Sequence, residues 1–323
     1  MRVEDARAIV EMLNAEAVLY TGEPQFTVDE YALDLKEPGY DLAAQTRVVL
    51  AEDGGLAGIA EVYNHAPFVR AFMWVRCHHN HRGRGIGSWL TEWAGGVAQT
   101  MVERAPTDAR VTCGASAFLA NEAAGDLLSD HGFAHVRNFH IMRIRLDEPP
   151  AEATPPEGFT IDTMVPDVDD RALYAAFDEA FSDHWGHVSR PGEDGFAHWQ
   201  HRVRNDPHFD AGLKFIARVG EEIAGFSLCS APAPGESDIG WVNQLGVRRP
   251  WRGRGLAKAL LRYSFAEFYR RGVHNVGLGV DADSLTGATR LYENAGMNVH
   301  HTNAVFEMEL RAGIVYATQS LDG

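Results

Sequence analysis

One pattern occurs twice in this chain, and it restricts the available folds more than any other feature. Around residue 82 the sequence runs Met73-Trp-Val-Arg-Cys-His-His-Asn-His-Arg82-Gly-Arg-Gly-Ile-Gly87-Ser-Trp-Leu. Around residue 252 it runs Gln244-Leu-Gly-Val-Arg-Arg-Pro-Trp-Arg252-Gly-Arg-Gly-Leu-Ala257-Lys-Ala-Leu. Each is an apolar strand, a polar turn, a Gly/Arg loop and a helix with apolar residues at helical spacing. Downstream each copy has another strand, Arg110-Val-Thr-Cys-Gly-Ala and Asn275-Val-Gly-Leu-Gly-Val. A short helix follows, in which Ala124, Leu127, Leu128 and Gly132 match Ala288, Leu291, Tyr292 and Gly296. Alternating runs at His140–Leu146 and Ala304–Leu310 read as strands that close the two copies. A repeat this long means two duplicated domains rather than a solenoid. The 323 residues suit two domains of ~150 each.

The boundary falls in Asp147–Gly158, where four prolines and four acidic residues in twelve positions build no core element. The expected organisation is an N-terminal domain at 1–147, a linker at 148–158, a C-terminal domain at 159–312 and a tail at 313–323. Upstream of the first loop, Glu4–Ala17 reads as a helix, and strands surround the turn at Glu52-Asp-Gly-Gly. Upstream of the second, Asp169–Phe181 reads as a helix, and strands surround Gly220-Glu-Glu. The first copy starts abruptly, so its opening strand is expected to be short or missing.

The net charge of −16 makes nucleic acid and anionic membrane unfavourable partners and favours a cationic or amine substrate. Cys77, Cys113 and Cys229 are odd in number, far apart and without metal-ligand spacing, which suits a reducing compartment. The first residues are acidic and amphipathic, and no stretch approaches the ~18 apolar residues of a membrane span. A cytoplasmic protein, monomeric or homodimeric, is expected.

The loop itself points to an anion. Glycines at 253 and 255 permit a tight turn that brings backbone N–H groups close to a ligand. The helix opening behind them adds unpaired donors and a partial positive charge, a combination suited to a pyrophosphate. Arg252 and Arg254 add charge. No Gly-Lys-Ser/Thr follows, which excludes a P-loop, and the glycine spacing and missing acidic residue disfavour a dinucleotide fold.

These residues resemble the GCN5-related N-acetyltransferase family. Its first signature, Arg/Gln-x-x-Gly-x-Gly/Ala after the fourth strand, is matched by Arg82, Gly83, Arg84, Gly85, Ile86 and Gly87 and by Arg252, Gly253, Arg254, Gly255, Leu256 and Ala257. A second, Ala-x-x-Leu-Tyr-x-x-x-Gly-Phe, is matched by Ala288 through Met297 with Tyr292 at its centre. The resemblance implies an α/β (α+β) fold: two tandem domains, each a mixed, mostly antiparallel sheet flanked by helices. It implies splayed fourth and fifth strands, with the pantetheine arm of acetyl-CoA lying between them like an added strand. By resemblance, the backbone of Leu245, Gly246 and Val247 pairs with pantetheine, and the Arg252–Ala257 N–H groups hold the pyrophosphate. The Leu245 N–H also polarises the thioester carbonyl.

Tyr292 stands where the family places the phenol that protonates the leaving thiolate. The first copy has Leu128 there, and an alkyl group donates no proton. Its loop is intact, so the N-terminal copy is read as a degenerate domain that can still hold the co-substrate. The family's Asn seven residues before the Tyr is kept as Asn121 in the first copy and is Leu285 in the second, where Asp283 or Ser284 could cap the helix instead. Candidates for the base are Glu236, Asp238, Asp281 and Asp283. Phe181-Ser-Asp-His-Trp-Gly-His187 lies where the family builds its acceptor pocket, which makes Asp183, His184, Trp185 and His187 candidate acceptor residues. A zinc site there lacks a second ligand cluster, so no metal is expected. Trp241 and Asn243, two apart on a strand, share one face and are expected to line the same pocket.

The tandem layout is similar to the mycothiol synthase branch of the family, which acetylates a cysteinyl amine. The acidic residue expected for that substrate is absent beside Trp241 and Asn243. The expectation is an acetyl-CoA-dependent transfer to a small-molecule amine. A mycothiol-precursor amine, a protein amine, or a non-enzymatic acyl-CoA sensor are the alternatives.

Overall fold

The computed structural model describes residues 1–190, 192–204, 209–232, 238–284 and 287–318. They form two compact units. The first unit contains Met1–Phe139 and His301–Ala317, and the second contains His140–His300 and the residues from Thr318.

In chain order the first half gives helices α1 (Ala6–Thr21), α2 (Val28–Asp34) and α3 (Leu42–Gln45), then strands β1 (Thr46–Leu50), β2 (Leu56–Tyr63) and β3 (Arg70–Cys77). Helix α4 (Ile86–Thr100), β4 (Val111–Phe118), α5 (Glu122–Asp130) and β5 (Ala134–Arg145) follow. The second half gives β6 (Thr160–Thr163), α6 (Asp170–Phe181), α7 (Glu193–Arg204), β7 (Lys214–Val219), β8 (Glu222–Ser230) and β9 (Ile239–Val247). It closes with α8 (Leu256–Arg270), β10 (Asn275–Asp281), α9 (Ala288–Glu293) and β11 (Asn298–Arg311). Among the described residues no strand precedes α1, as the abrupt start of the first copy suggested. None of these helices is long and apolar enough to cross a membrane.

The first unit orders its strands β1-β2-β3-β4-β11 and the second β5-β10-β9-β8-β7-β6. β1–β2, β2–β3, β4–β11, β6–β7, β7–β8 and β8–β9 are antiparallel neighbours, whereas β3 with β4 and β9 with β10 are parallel. Central strands are buried on both faces, and β2 and β8 are nearly continuous apolar runs for that reason. In the first unit, Ile59 packs with Ile9 and Leu13 of α1, while Ala60 and Met73 pack with Leu90 and Ala94 of α4. In the second, Phe226 packs with Leu173 of α6 and Leu260 of α8 lies on the opposite face with Ala224.

The compact units differ from the sequence halves at the last strands. β11 pairs with β4, from Asn303↔Phe118 to Arg311↔Val111, so it completes the first unit's sheet. Ala304 and Phe306 enter the same core as Ala115, Leu128 and Phe133. The later part of β5 lies beside β10, with Met142 and Leu146 in the core that holds Leu278, Val280 and Met297. Alternation identifies both as strands but carries no information about which neighbour they choose.

Phe306→Ala should cost about 3–5 kcal/mol, with faster hydrogen exchange in β4 and unchanged exchange in β10. The reverse pattern would place β11 in the second unit.

Candidate functional site

The two Gly/Arg loops have nearly the same backbone. Gly83 and Gly85 have φ of 73° and 79°, and Gly253 and Gly255 have 75° and 79°. These left-handed values require glycine. A Cβ built at any of the four meets nothing within 4 Å, so conformation rather than crowding selects glycine, and the space in front of the loop is open. Helices α4 and α8 start directly after Gly85 and Gly255. Their first N–H groups have no intrahelical acceptor and point toward that space, with the helix dipole behind them.

The leading arginine of each loop is not a free phosphate cation. Arg252 donates from Nε to the Val247 carbonyl at 3.0 Å and from Nη2 to the Ala180 carbonyl at 2.9 Å, and it pairs with Asp183 through both terminal nitrogens. Asp183 is only 2% exposed. Burial pushes its carboxyl up, but the Arg252 hydrogen bonds and charge outweigh this and hold it below its ordinary value. Arg82 does the same work with different partners: it donates to Glu16 at 3.0 Å and to the Tyr20 hydroxyl at 2.8 Å, both on α1. In each unit the arginine thus ties the loop to the first long helix. Arg254 stays exposed, with a single contact to the Pro250 carbonyl at 3.4 Å.

Each loop sits at the mouth of a parallel strand pair that separates. β9 and β10 register only from Ile239↔Asn275 to Trp241↔Gly277, so Leu245, Gly246 and Val247 lie beyond the paired stretch. β3 and β4 likewise register only from Arg70↔Thr112 to Met73↔Ala115. The splayed strands are thus fourth and fifth counting from β6, and third and fourth counting from β1, no strand preceding α1 among the described residues. β9 also carries a bulge: Leu228 faces Gln244 and Cys229 faces Val242, leaving Asn243 as the extra residue. The bulge breaks the alternation that would set Trp241 and Asn243 on one face. Both still lie at Ser230, which pairs with Trp241 and donates to the Asn243 amide oxygen at 3.2 Å. β3 has no bulge against β2.

Tyr292 is 7% exposed in the core shared with Val242 and Val280. No side chain among the described residues hydrogen-bonds its hydroxyl, and burial pushes the phenol up to about 12. It therefore stays protonated through neutral pH. Leu128, its counterpart, is equally buried and lines a cavity of about 290 Å³ with Cys77, Ile86, Thr91 and Ala115. The N-cap of helix α9 is Gly287, in a left-handed conformation, rather than Asp283 or Ser284. Leu285 and Glu236 lie outside the described residues.

The 181–187 segment separates into distinct roles. Asp183 belongs to the Arg252 clamp and is not available to an acceptor. His187 pairs with Asp178 at 3.1 Å, and Asp178 also accepts from Ser189. His184 packs edge-on against Phe181 at 4.5 Å, with Phe226 beyond it, and feels the charge of Asp281 at the end of β10. Burial holds its imidazole below the ordinary value, so it is neutral at pH 7. Trp185 is half-buried on the same segment. Asp238 is engaged with Asn275 where β9 and β10 begin, at the end away from the splay.

The comparisons with known proteins agree with this geometry. The model of the acetyltransferase (GNAT) family matches residues 171–297, the stretch from α6 through Met297. A mycothiol acetyltransferase of Streptomyces scabiei is 30% identical over 265 residues, 81% of this chain and 79% of its own. One of Salinispora arenicola is 32% identical over 83% of this chain and 82% of its own. The chain belongs to the GNAT acetyltransferase family.

The crystal structure of a GCN5-related N-acetyltransferase from Sphaerobacter thermophilus is 36% identical, with a TM-score of 0.80 over 99% of this chain and 97% of that one. A tandem GNAT protein from the clavulanic acid biosynthesis pathway, 15% identical, shares the fold over 96% of each chain with a TM-score of 0.69. The protein is an N-acetyltransferase, which sets aside the non-enzymatic reading. Membership explains why loop, splay and Tyr292 occur together. The family signatures did not reveal the Arg–carboxylate clamp or the Asn243 bulge. The clamp had one legible sign, an acidic residue on or just after the first helix of each copy; the bulge had none.

Arg252→Met leaves Asp183 buried without its partner and should cost about 3 kcal/mol in urea unfolding. Arg254→Met should change stability by less than about 0.5 kcal/mol. Equal effects would show that the clamp does not hold the loop.

Proposed function

We propose that the second unit transfers an acetyl group from acetyl-CoA to the amine of a small molecule. The observation that carries this reading is a buried, protonated Tyr292 in the unit whose open loop and splayed strands fit an acyl-CoA. The loop residues Arg252–Ala257 would hold the pyrophosphate with their N–H groups, and the Leu245 and Val247 backbone would pair with the pantetheine amides. Neutral His184, on the segment between α6 and α7, takes the proton from the acceptor ammonium. The amine then attacks the thioester carbonyl, and the Leu245 N–H stabilises the developing oxyanion. As the C–S bond breaks, Tyr292 gives its proton to the departing sulfur; the second proton shed by the nitrogen, now an amide, leaves to solvent, from which the phenol is restored. Transfer from a phenol at about 12 to a thiolate whose thiol lies at ~8.5 is uphill. The phenol must therefore be held against the sulfur and act as the bond breaks, not before. The first unit, with Leu128 in that place, holds a second acetyl-CoA without transferring it.

The similarity to mycothiol acetyltransferases favours the amine of a mycothiol-type precursor as a second reading of the acceptor. The neutral Asn243 at the β9 bulge weighs toward other small amines. A cytoplasmic setting suits the three free thiols.

Tyr292→Phe should lower kcat by about 10²–10³-fold and leave the Kd for acetyl-CoA within about threefold, measured by CoA release and calorimetry on an amine panel. Undiminished kcat would remove Tyr292 from the reaction. An arylamine acceptor is neutral before it attacks, so His184 accepts only the proton that the nitrogen sheds on attack, and the rate should fall only as pH drops through the lowered pKa of His184, below 6.5. His184→Asn should abolish that limb; an unchanged profile would assign the base elsewhere.

A further inference from the structure

The first unit differs from the second at a position that neither signature covers. Arg76 on β3 stands where β9 has Gly246, counting back from the loop arginine in each copy. Its neighbours define the face it occupies. Arg76 is opposite Ile59, which packs with α1, and its guanidinium lies 4.8 Å over the Trp74 ring on the same side. Met73 and Val75 point the other way, toward α4.

From that face the guanidinium spans the separated strands. Nη1 donates to the Ser116 carbonyl of β4 at 3.0 Å and to its own Val75 carbonyl at 2.9 Å. Nε lies 3.6 Å from Glu16, which also binds Arg82 and accepts from the Asn121 amide at 3.1 Å. The cavity of about 290 Å³ lies on the α4 and α5 side, with Arg76 and Glu16 among its lining residues. Thr91 also lines it; the residue is 2% exposed and its hydroxyl has no hydrogen-bond partner. A buried hydroxyl facing a cavity without a partner is costly unless a ligand supplies one.

In the second unit no side chain projects from the corresponding position, and an uncharged aromatic ring lies against it. Gly246 sits directly over the Phe226 ring, where even a Cβ would come within 2.5 Å. Phe181 borders that ring, and His184 packs edge-on against Phe181. Where the second unit has a neutral imidazole beside the opening, the first has a guanidinium across it.

We propose that Arg76 seals the acceptor side of the first unit, so that a thioester arm held in its cavity is shielded from amines. The seal is geometric, because the guanidinium fills the strand gap, and electrostatic, because a cation there repels an alkylammonium. Leu128 removes the proton donor; Arg76 removes the entrance. This rests on the reading that the first unit holds acetyl-CoA.

The test uses the full chain with Gly255→Asp, which puts a strained, anionic residue in the second loop and confines acetyl-CoA to the first unit. Bound acetyl-CoA is challenged with hydroxylamine, a small neutral nucleophile. Thioester cleavage should be at least fivefold slower than for free acetyl-CoA. That protection should disappear in the Arg76→Gly variant. It should also disappear in Arg76→Met, which keeps the packing against Trp74 and leaves Glu16 paired with Arg82 and Asn121 should Arg76→Gly fail to fold. Equal protection with and without Arg76 would overturn the seal. Failure of the Gly255→Asp chain to bind acetyl-CoA at all would instead overturn the reading on which it rests.

Discussion

The site depends on one ion pair per unit. A Gly/Arg loop with two left-handed glycines has little to hold it in place, since its backbone donors must stay free for a ligand. The leading arginine solves this by reaching away from the ligand side to a carboxylate on or just after the first helix, Glu16 or Asp183. The planar guanidinium makes several hydrogen bonds at fixed angles, which a lysine could not reproduce. In the second unit it also binds the Val247 carbonyl and the Ala180 carbonyl. Loop, splayed strand and helix end are thereby fixed to a single side chain. The segment that carries His184 begins at this clamp, so the placement of the proposed base follows from the placement of the loop proposed to hold the pyrophosphate.

With that frame shared, the two units diverge at a few positions that decide their chemistry. Tyr292 faces Leu128 in the comparison, Gly246 faces Arg76, and the Asn243 bulge has no counterpart in β3. On the proposed reading, the first unit keeps the loop that grips an anion and lacks the phenol that would react. In its buried polar network, Arg82–Glu16–Arg76 with Asn121, both guanidinium groups share the Glu16 carboxylate, so the change from site to seal leaves no isolated ion in the core.

Much of this was legible in the sequence because the duplication doubles each signal. A lone Arg-Gly-Arg-Gly is an ordinary turn; the same turn after a strand and before a helix, twice, is a site. Left-handed glycines and helix starts are local properties, so reading them needs no knowledge of the partners. The errors were all non-local. The loop pattern makes Arg252 an added charge and the family position makes Asp183 an acceptor candidate, whereas the two bind each other across a gap in sequence that no periodicity measures. Trp241 and Asn243 were set on one face by strict alternation, which an inserted residue interrupts. The last strands were assigned to their own halves, although β11 completes the sheet of the first unit, where Phe306 finds its core.

The central claim is that one chain grips two acetyl-CoA molecules and uses only one. The most direct measurement is a single turnover with label in the acetyl group. Protein saturated with labelled acetyl-CoA is mixed with an accepted amine and an excess of unlabelled acetyl-CoA. The account predicts one labelled acetyl in product per chain, with a second bound label released unreacted. Two labelled acetyls in product per chain, or a single bound label, would contradict it.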